Sequence, residues 1–310
     1  MTKIKIGIGQ FSSVHLNLQK SLERLEWIIH EASGKNIQLL VLGETWLSGY
    51  PVWLDHCPDV ARWDHEPTKE AFLRMHQSSI TVPGKELEWI CTLTEKHKLN
   101  LVIGINERIA AGAGQGTLYN SVLTISEEGF LLNHHRKLMP TYTEKMLYGL
   151  GKNSAGLKSA DTTVGKISAS ICWEHWMPLT RQALHDSGEQ IHVALWPNVH
   201  EMHQVASRHY AFEGRCFVIA AGQMLKAKDF PPELELPENL KSNPDKWVLR
   251  GGSCVIGPRG NYIVEPVFDK EELILCEIDL AEVIKERMTL DTSGHYQRKD
   301  IFHFQIKNTD

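Results

Sequence analysis

The sequence lacks a long apolar run, since no stretch approaches the roughly 18 consecutive apolar residues that suggest a membrane span. Its first residues, MTKIKIGIGQF, alternate charged and small apolar side chains, whereas a signal peptide has a continuous apolar segment followed by a cleavage site of small residues. We therefore expect a soluble protein of the cytoplasm, without a membrane partner.

An excess of positive charge is also missing. The 33 Lys and Arg residues are outnumbered by 38 Asp and Glu residues, which gives a formal net charge of −5, and no dense basic block occurs. Binding to nucleic acid depends largely on neutralising phosphates with Lys and Arg. The sequence therefore predicts no nucleic-acid partner.

Cysteine is sparse, with six residues among 310 and no closely spaced pair. The cysteines stand at positions 57, 91, 172, 216, 254 and 276. In a chain of this length such spacing favours free thiols in a reducing compartment over a disulfide framework. Each cysteine can simply be a small buried hydrophobic residue, so a chemical role for Cys172 depends on its surroundings.

Metal-binding and phosphate-binding motifs are absent despite 16 histidines. His200 and His203 are three residues apart, whereas the zinc-binding HExxH helix needs a spacing of four. The adjacent His134 and His135 would point to opposite faces of a strand. The glycine-rich segment AAGAGQG at 110–116 lacks the Gly-Lys-Ser/Thr ending of a phosphate loop. We expect no metal and no other cofactor.

What the sequence does contain is an alternation of strand and helix patterns. Strands are predicted at 3–10, 37–42, 100–107, 118–126, 130–136, 164–172, 191–196, 216–221, 252–257, 262–265 and 273–278. Helices are predicted at 16–32, 69–77, 85–98, 177–187, 200–215 and 280–289. Two stretches rich in turn residues, near 54–80 and 226–247, interrupt the pattern as insertions. We predict a layered α/β sandwich with mixed strand directions, formed by one domain over residues 1–310.

Three chemically active residue types stand where predicted strands end: Glu44, Lys137 and Cys172. Sites in α/β sheets gather beyond the carboxyl ends of strands. A helix start and a nearby cation can lower the pKa of a cysteine from about 8.5. Alternatively, a carboxylate such as Glu44 can take the thiol proton as a general base. Both ways of activating Cys172 remain open at this point.

The segments around these residues resemble the motifs of the nitrilase superfamily, and most of all those of the true nitrilases. GETWLSGYP at 43–51 resembles the glutamate motif, RKLMPTYTE at 136–144 the lysine motif, and CWEH at 172–175 the cysteine motif. The order and wide spacing agree, and the resemblance extends over nearly the whole chain. One departure is YGLGKN at 148–153, where many nitrilases carry Trp-Gly-x-Gly-Asp-Gly, so that Lys152 replaces an acidic residue.

The resemblance implies a four-layer αββα sandwich, with two mixed sheets flanked by helices. It also implies subunits that pair through these helices into a homodimer or a larger spiral homo-oligomer, with the two insertions at interfaces. The implied activity is hydrolysis of an organic nitrile to a carboxylic acid and ammonia. An amidase or carbamoyl-amide hydrolase of the same superfamily and a catalytically silent assembly module are the alternatives.

The resemblance also assigns roles to residues. Cys172 would attack the nitrile to form a thioimidate and then a thioester, Glu44 would transfer protons, and Lys137 would stabilise negative charge. Glu144 would position Lys137 or share the proton transfer.

Further residues are expected around the substrate. Trp173 would offer its backbone N–H to the developing charge, and Tyr50 would line the pocket. Trp196, Pro197 and Asn198 would reach the pocket wall, although the Trp196 ring can equally belong to the core. Glu174 and His175 are interpreted as hydrogen-bonding scaffold.

Overall fold

The computed structural model describes residues 3–152 and 154–307; Asn153, part of the departing segment, lies outside them. The strands are β1 (Ile4–Gln10), β2 (Leu39–Leu47), β3 (Asn100–Arg108), β4 (Leu118–Ile125), β5 (Leu131–Arg136), β6 (Ala160–Thr162), β7 (Gly165–Ile171), β8 (Ile191–Leu195), β9 (Phe217–Ala221), β10 (Met224–Lys226), β11 (Trp247–Ile256), β12 (Tyr262–Phe268) and β13 (Glu272–Ile278). The helices are α1 (Leu18–Gly34), α2 (Trp53–His56), α3 (Glu66–Gln77), α4 (Lys85–His97), α5 (Pro178–Asp186), α6 (Glu201–Gly214), α7 (Glu238–Lys241) and α8 (Ala281–Arg287).

The strands form two mixed sheets. The first has the order β13-β1-β2-β3-β4-β5, in which β1, β2 and β3 are parallel and the other pairs are antiparallel. The second has the order β10-β11-β9-β8-β7-β6, with β12 paired to β11, and here β7, β8 and β9 are parallel. Mixed strand directions were expected from the hairpins that interrupt the alternating pattern, and this prediction is confirmed.

Alternate side chains of β2 show how the layers stack. Leu39 and Val41 belong to one buried cluster with residues of the second sheet, such as Val193. Leu40 and Leu42 belong to another, together with residues of α1 and α4. Because successive side chains of a strand point to opposite faces, β2 has the second sheet on one side and helices on the other. On the second sheet α6 packs against β9, so the predicted αββα sandwich is confirmed.

The sequence had placed Glu44 just beyond the end of a strand. In the structure, Glu44 lies inside β2 instead. All nine residues of β2 are buried, and the strand continues to Leu47. Its pairing with β3 is irregular between Leu42 and Leu47, and Thr45 has a left-handed φ of 49°. The apolar run stops at Gly43 because the next residues of β2, Glu44 and Thr45, are buried polar residues. The strand itself continues through them.

The two insertions pack on each other within the chain. Residues of α2 and α3 share a buried cluster with residues from the 226–247 segment, among them Trp53, Met75 and Phe230. An ion pair between Arg74 Nη1 and Glu233 Oε1, at 2.8 Å, joins the same two segments. This contact gives the insertions a role inside one chain, and their predicted place at subunit interfaces stays a prediction.

The cysteines are in the state expected from the sequence. All six cysteines are free thiols, and those at 57, 172, 216 and 254 are buried. Across residues 3–152 and 154–307, no helix has the length and apolar content needed to cross a membrane.

Gly104 of β3 lies so close to β2 that a side chain cannot be accommodated. A Cβ placed there would overlap Gly43 O and Thr45 N and would lie 2.8 Å from Glu44 Cα. We expect Gly104→Ala to reduce the free energy of unfolding by about 1–3 kcal/mol, as overpacking does, measured by urea denaturation. Gly34→Ala is the control, because open space surrounds that position. Equal stability of the two variants would contradict the close approach.

Candidate active site

The fold brings Glu44, Lys137 and Cys172 together between the two sheets. Glu44 belongs to β2 and Lys137 directly follows β5, both in the first sheet, whereas Cys172 directly follows β7 of the second sheet. All three side chains are nearly inaccessible, with exposed fractions of 0%, 1% and 4%. The charge of Lys137 affects the pKa of both Glu44 and Cys172, and the charge of Glu44 affects the pKa of both Lys137 and Cys172. The three strand-end candidates therefore form a single site.

Glu44 has one occupied and one free carboxylate oxygen. Oε1 accepts hydrogen bonds from Asn120 Nδ2 at 2.7 Å and from Lys137 Nζ at 3.1 Å. Oε2 is buried, and no donor among the described residues reaches it. Burial raises the pKa of Glu44 to about 7, although the charge of Lys137 and the hydrogen bond from Asn120 oppose this rise. A carboxyl group with that pKa both accepts and releases a proton near neutral pH.

Lys137 is a fixed cation between two carboxylates. Its Nζ lies 2.9 and 2.8 Å from the two oxygens of Glu144 and 3.1 Å from Glu44 Oε1. Burial alone lowers a lysine pKa, but here the charges of Cys172, Glu44 and Glu144 outweigh burial and raise the pKa of Lys137. The ammonium group therefore stays charged at any working pH and does not serve as a base.

Glu144 is occupied on both oxygens. Besides Lys137, it accepts a hydrogen bond from Tyr50 Oη to Oε1 at 2.8 Å and from the Thr141 backbone N–H to Oε2 at 2.8 Å. The sequence left open whether Glu144 positions Lys137 or shares the proton transfer. These contacts favour positioning, because no oxygen of Glu144 is left for another proton donor.

Cys172 begins a short 3₁₀ turn, Cys172–Trp176, with a left-handed φ of 51°. Burial raises the pKa of its thiol well above the usual value, and Lys137 and the Trp173 backbone N–H lower it only in part. The expectation of a lowered pKa for Cys172 is wrong, because the desolvation of a buried thiolate outweighs the nearby cation and the backbone N–H. Of the two ways of activating Cys172, the structure favours a general base.

Glu174 ties the two sheets together at the site. Its carboxylate accepts hydrogen bonds from the backbone N–H groups of Leu138, at 2.8 Å, and Ile171, at 2.7 Å. His135 Nε2 lies 2.9 Å from Glu174 Oε1. One buried carboxylate thus joins the residue after Lys137 to the residue before Cys172, in agreement with its interpretation as scaffold.

A cleft of about 270 Å³ gives access to Cys172. Tyr50, Trp173, Pro197 and Asn198 line it, as the sequence suggested, together with Asp55 and His56 of the first insertion. Asn198 is buried, and its Oδ1 has no hydrogen-bond donor among the described residues.

Trp196 does not reach the cleft, and its assignment to the pocket wall is corrected. The ring is fully buried, with its centroid 4.6 Å from that of His175 and 4.4 Å from that of His203. Its Nε1 donates to Ser207 Oγ of α6 at 3.2 Å. The side chain points toward the covering helix, so Trp196 is a core residue, which was the alternative that the sequence had left open.

Two residues that hold Glu44 were missed from the sequence. Asn120 of β4 donates to the Glu44 carboxylate, and Gln223 Nε2 donates to the Glu44 backbone carbonyl. The pattern of β4 did not single out Asn120, because Ser121 and Thr124 of the same strand are polar as well. Its position beside Glu44 depends on the order of β2, β3 and β4, where Asn120 pairs with Asn106.

Metal-binding clusters are not found in the part of the chain that the structure describes, since no three His, Cys, Asp or Glu side chains converge to hold an ion there. His203, one of the two histidines with near-zinc spacing, stacks on Trp196.

Comparison with known proteins assigns a family to residues 5–287, which match the carbon-nitrogen hydrolase family. The chain is 34% identical over 310 residues to a bifunctional nitrilase/nitrile hydratase of Lupinus angustifolius, covering 98% of this chain and 86% of the relative. It is 35% identical over 311 residues to Nitrilase 2 of Arabidopsis thaliana, covering 98% and 89%. Among solved structures, Saccharomyces cerevisiae Nit3, a member of branch 10 of the nitrilase superfamily, superposes with a TM-score of 0.72 at 20% identity, covering 95% of this chain and 97% of Nit3.

Replacing the Glu174 carboxylate should destabilise the fold. Glu174→Gln retains the shape but exchanges one accepting oxygen for a donating amide, which leaves a buried N–H without an acceptor. We expect a loss of about 2–3 kcal/mol in the free energy of unfolding, measured by urea denaturation. Glu128→Gln, at an exposed position in a turn, is the matched control and should be neutral. A neutral Glu174→Gln would rule out the scaffold role.

Proposed function

Because the chain belongs to the carbon-nitrogen hydrolase family, we propose that it hydrolyses an organic nitrile to the carboxylic acid and ammonia. The observation that carries this proposal is the free, buried Oε2 of Glu44 beside a thiol that stays protonated at rest. A protonated thiol needs a base within the same buried, water-excluded site to become a nucleophile. The similar plant enzymes are nitrilases, which favours nitriles over amides as substrates.

In the first step the Cys172 Sγ adds to the nitrile carbon. The thiol proton passes to Glu44 Oε2 and from there to the nitrile nitrogen as one of the bonds between nitrogen and carbon is lost, which gives a thioimidate and restores the Glu44 carboxylate. Lys137 and the Trp173 backbone N–H provide positive charge next to the reacting atoms, and such preorganised groups stabilise charge that develops in the transition state.

Two water molecules complete the reaction. Glu44 takes a proton from the first water as it adds to the thioimidate carbon and passes that proton to the nitrogen. The remaining hydroxyl proton then also reaches the nitrogen through Glu44, ammonia leaves, and a thioester remains on Cys172. A second water, activated by the same carboxylate, releases the carboxylic acid and restores the thiol. Glu144, through its contacts with Lys137, keeps the cation in place throughout.

The cleft residues Tyr50, Trp173, Pro197 and Asn198 contact the substrate in this proposal. The unpaired Oδ1 of Asn198 is suited to accept a hydrogen bond from a polar substituent next to the nitrile. A catalytically silent assembly module is disfavoured, because burying an unpaired carboxylate oxygen costs stability without any structural return.

We further propose a single-domain enzyme that works in the cytoplasm as a homodimer or a larger spiral. Exposed apolar side chains on the helices that cover the second sheet support self-association. Leu179 of α5 is 70% exposed and Phe212 of α6 is 47% exposed.

The activity can be tested by ammonia release from a panel of aromatic, arylacetic and aliphatic nitriles and their matching amides. We expect turnover of at least one nitrile, and Cys172→Ala should lower kcat by about 10³-fold or more because the covalent route is lost. Cys216→Ala, at another buried cysteine, is the control. Release of ammonia from amides alone would establish the amidase alternative, and full activity of Cys172→Ala would disprove the nucleophile assignment.

The pH dependence of kcat/KM should report the ionisation of Glu44. The base must be deprotonated, so kcat/KM should fall as the pH drops through about 7, the pKa of Glu44. Asn120→Ala removes a hydrogen bond that favours the ionised form, so the midpoint should move up by about one pH unit.

A suitable control for that shift is Asn133→Ala, a buried asparagine of β5 that donates to Gly156 O and Lys158 O instead. Its midpoint should stay where the wild-type midpoint is. A profile that stays flat down to pH 5 in protein shown to be folded, or the same shift in both variants, would contradict Glu44 as the base.

A further inference from the structure

A row of buried side chains runs from the backbone of Cys172 toward the helices that cover the second sheet. It consists of His175, His192 and Glu189, with exposed fractions of 2%, 0% and 0%. We call it the His175–His192–Glu189 row. None of its members lines the cleft, and the reaction proposed above uses none of them.

The row begins at the nucleophile's own carbonyl group. His175 Nδ1 lies 2.6 Å from Cys172 O. Because a carbonyl oxygen only accepts, Nδ1 carries the hydrogen, and burial together with His192 lowers the pKa of His175 to about 3, so the ring is neutral. His175 Nε2 is therefore an acceptor, and His192 Nε2 at 2.9 Å and Ser170 Oγ at 3.0 Å lie beside it.

The far end of the row is anchored by several groups. The hydrogen that His175 Nε2 accepts is on His192 Nε2, and burial lowers the pKa of His192, so the ring is neutral and its Nδ1 accepts from Ser168 Oγ at 2.7 Å. Glu189 Oε2 lies 3.1 Å from the same Nδ1. Glu189 Oε1 accepts from Tyr210 Oη at 2.7 Å and faces His185 Nδ1 at 2.7 Å.

His185 and Tyr210 complete this surrounding. His185 Nε2 faces Glu213 Oε2 at 3.4 Å, and Glu213 pairs with Arg181 at 2.6 Å. The ring of Tyr210 stacks on His192 at 3.8 Å between centroids. His192 is thus held on its ring face by Tyr210, while Ser168 and Glu189 lie at its ring edge.

Holding the Cys172 carbonyl also orients the next N–H group. The C=O of Cys172 and the N–H of Trp173 belong to one planar trans peptide and point in opposite directions. The hydrogen bond from His175 therefore sets the direction of the Trp173 N–H, which interacts with the Cys172 thiol. It also holds Cys172 at its φ of 51°, a conformation that is unfavourable for a residue with a side chain.

We propose that His192 is a positioning residue for the reaction, which keeps His175 on the Cys172 carbonyl and thereby aims the Trp173 N–H and the Cys172 Sγ at the substrate. This inference takes its substrate from the proposed function. The contact between His175 and the Cys172 carbonyl orients Cys172 in the same way for any substrate. The effect acts on the chemical step, since the cleft residues that hold the substrate lie outside the row.

The first test is His192→Phe, which keeps a ring against Tyr210 and removes both nitrogens. Misplacement of reacting groups by a distant change can cost about 100-fold. We expect kcat for a nitrile to fall by about 10- to 100-fold while KM changes by less than about twofold.

Tyr210→Phe is the matched control, because it removes one hydrogen bond from the same Glu189 but leaves the row intact. Its kcat should stay within about threefold of wild type. A His192→Phe enzyme as active as Tyr210→Phe would overturn the proposal.

A second pair of variants tests the same carbonyl contact should His192→Phe fail to fold. Asparagine carries its Nδ2 on Cγ, as histidine carries Nδ1, so His175→Asn can still donate to Cys172 O but does not reach His192. His175→Leu loses the donor altogether. We expect His175→Leu to have a kcat at least about tenfold below that of His175→Asn, and equal values would overturn the proposal.

The variants of His175 and His192 together form a double-mutant cycle. In the His175→Asn background, His192→Phe should change kcat by less than about twofold, because the contact through which it acts is already gone. A loss as large as in the wild-type background would show that His192 acts by another route.

Alkylation of Cys172 by iodoacetamide separates this proposal from the proposed function, because it needs no nitrile. The rate, measured against a Cys172→Ala background to subtract other thiols, should fall at least about threefold in His192→Phe and stay unchanged in Tyr210→Phe. If no nitrile or amide is turned over but this difference appears, the positioning role stands and the proposed function fails. Equal alkylation rates in both variants would overturn the positioning role.

Discussion

The site depends on one buried cation held between two carboxylates. Lys137 contacts Glu44 and Glu144 in an interior where an unpaired charge would be very costly. The pairing keeps the lysine charged, and burial raises the pKa of Glu44 to about 7 although the charge of Lys137 lowers it. Glu44, with one oxygen free, is therefore the group that titrates near neutral pH, and Glu144 is the group that holds the lysine.

Desolvation gives these residues their separate roles. The same burial that raises the pKa of Glu44 to about 7 raises that of the Cys172 thiol further. A thiol and a carboxylate with matched burial can exchange a proton, whereas a permanently ionised thiolate would need no base. The proposed mechanism thus uses a neutral thiol as nucleophile, a carboxylate base with a pKa near 7 and a fixed cation, and each sheet supplies only part of this set.

Supporting residues account for the precision of this arrangement. Asn120 and Gln223 hold Glu44, Glu174 joins the chain after Lys137 to the chain before Cys172, and His175 holds the Cys172 carbonyl. Each of these contacts either joins elements that are distant in sequence or depends on one local backbone conformation, as the contact of His175 with Cys172 does. Hydrogen bonds to backbone groups fix geometry without appearing as a motif, so sequence patterns contain little trace of them.

The sequence by itself predicted most of the strands and helices and their mixed layers, because hydrophobic periodicity is a local property, and it singled out Glu44, Lys137 and Cys172 as candidates for one site. Only the tertiary structure decided that Glu44 lies inside β2, that Trp196 turns toward α6, and that the Cys172 thiol stays protonated. Those outcomes depend on which groups surround a side chain after the two sheets pack. Burial and partner identity are properties of the packed sheets, and no single segment contains them.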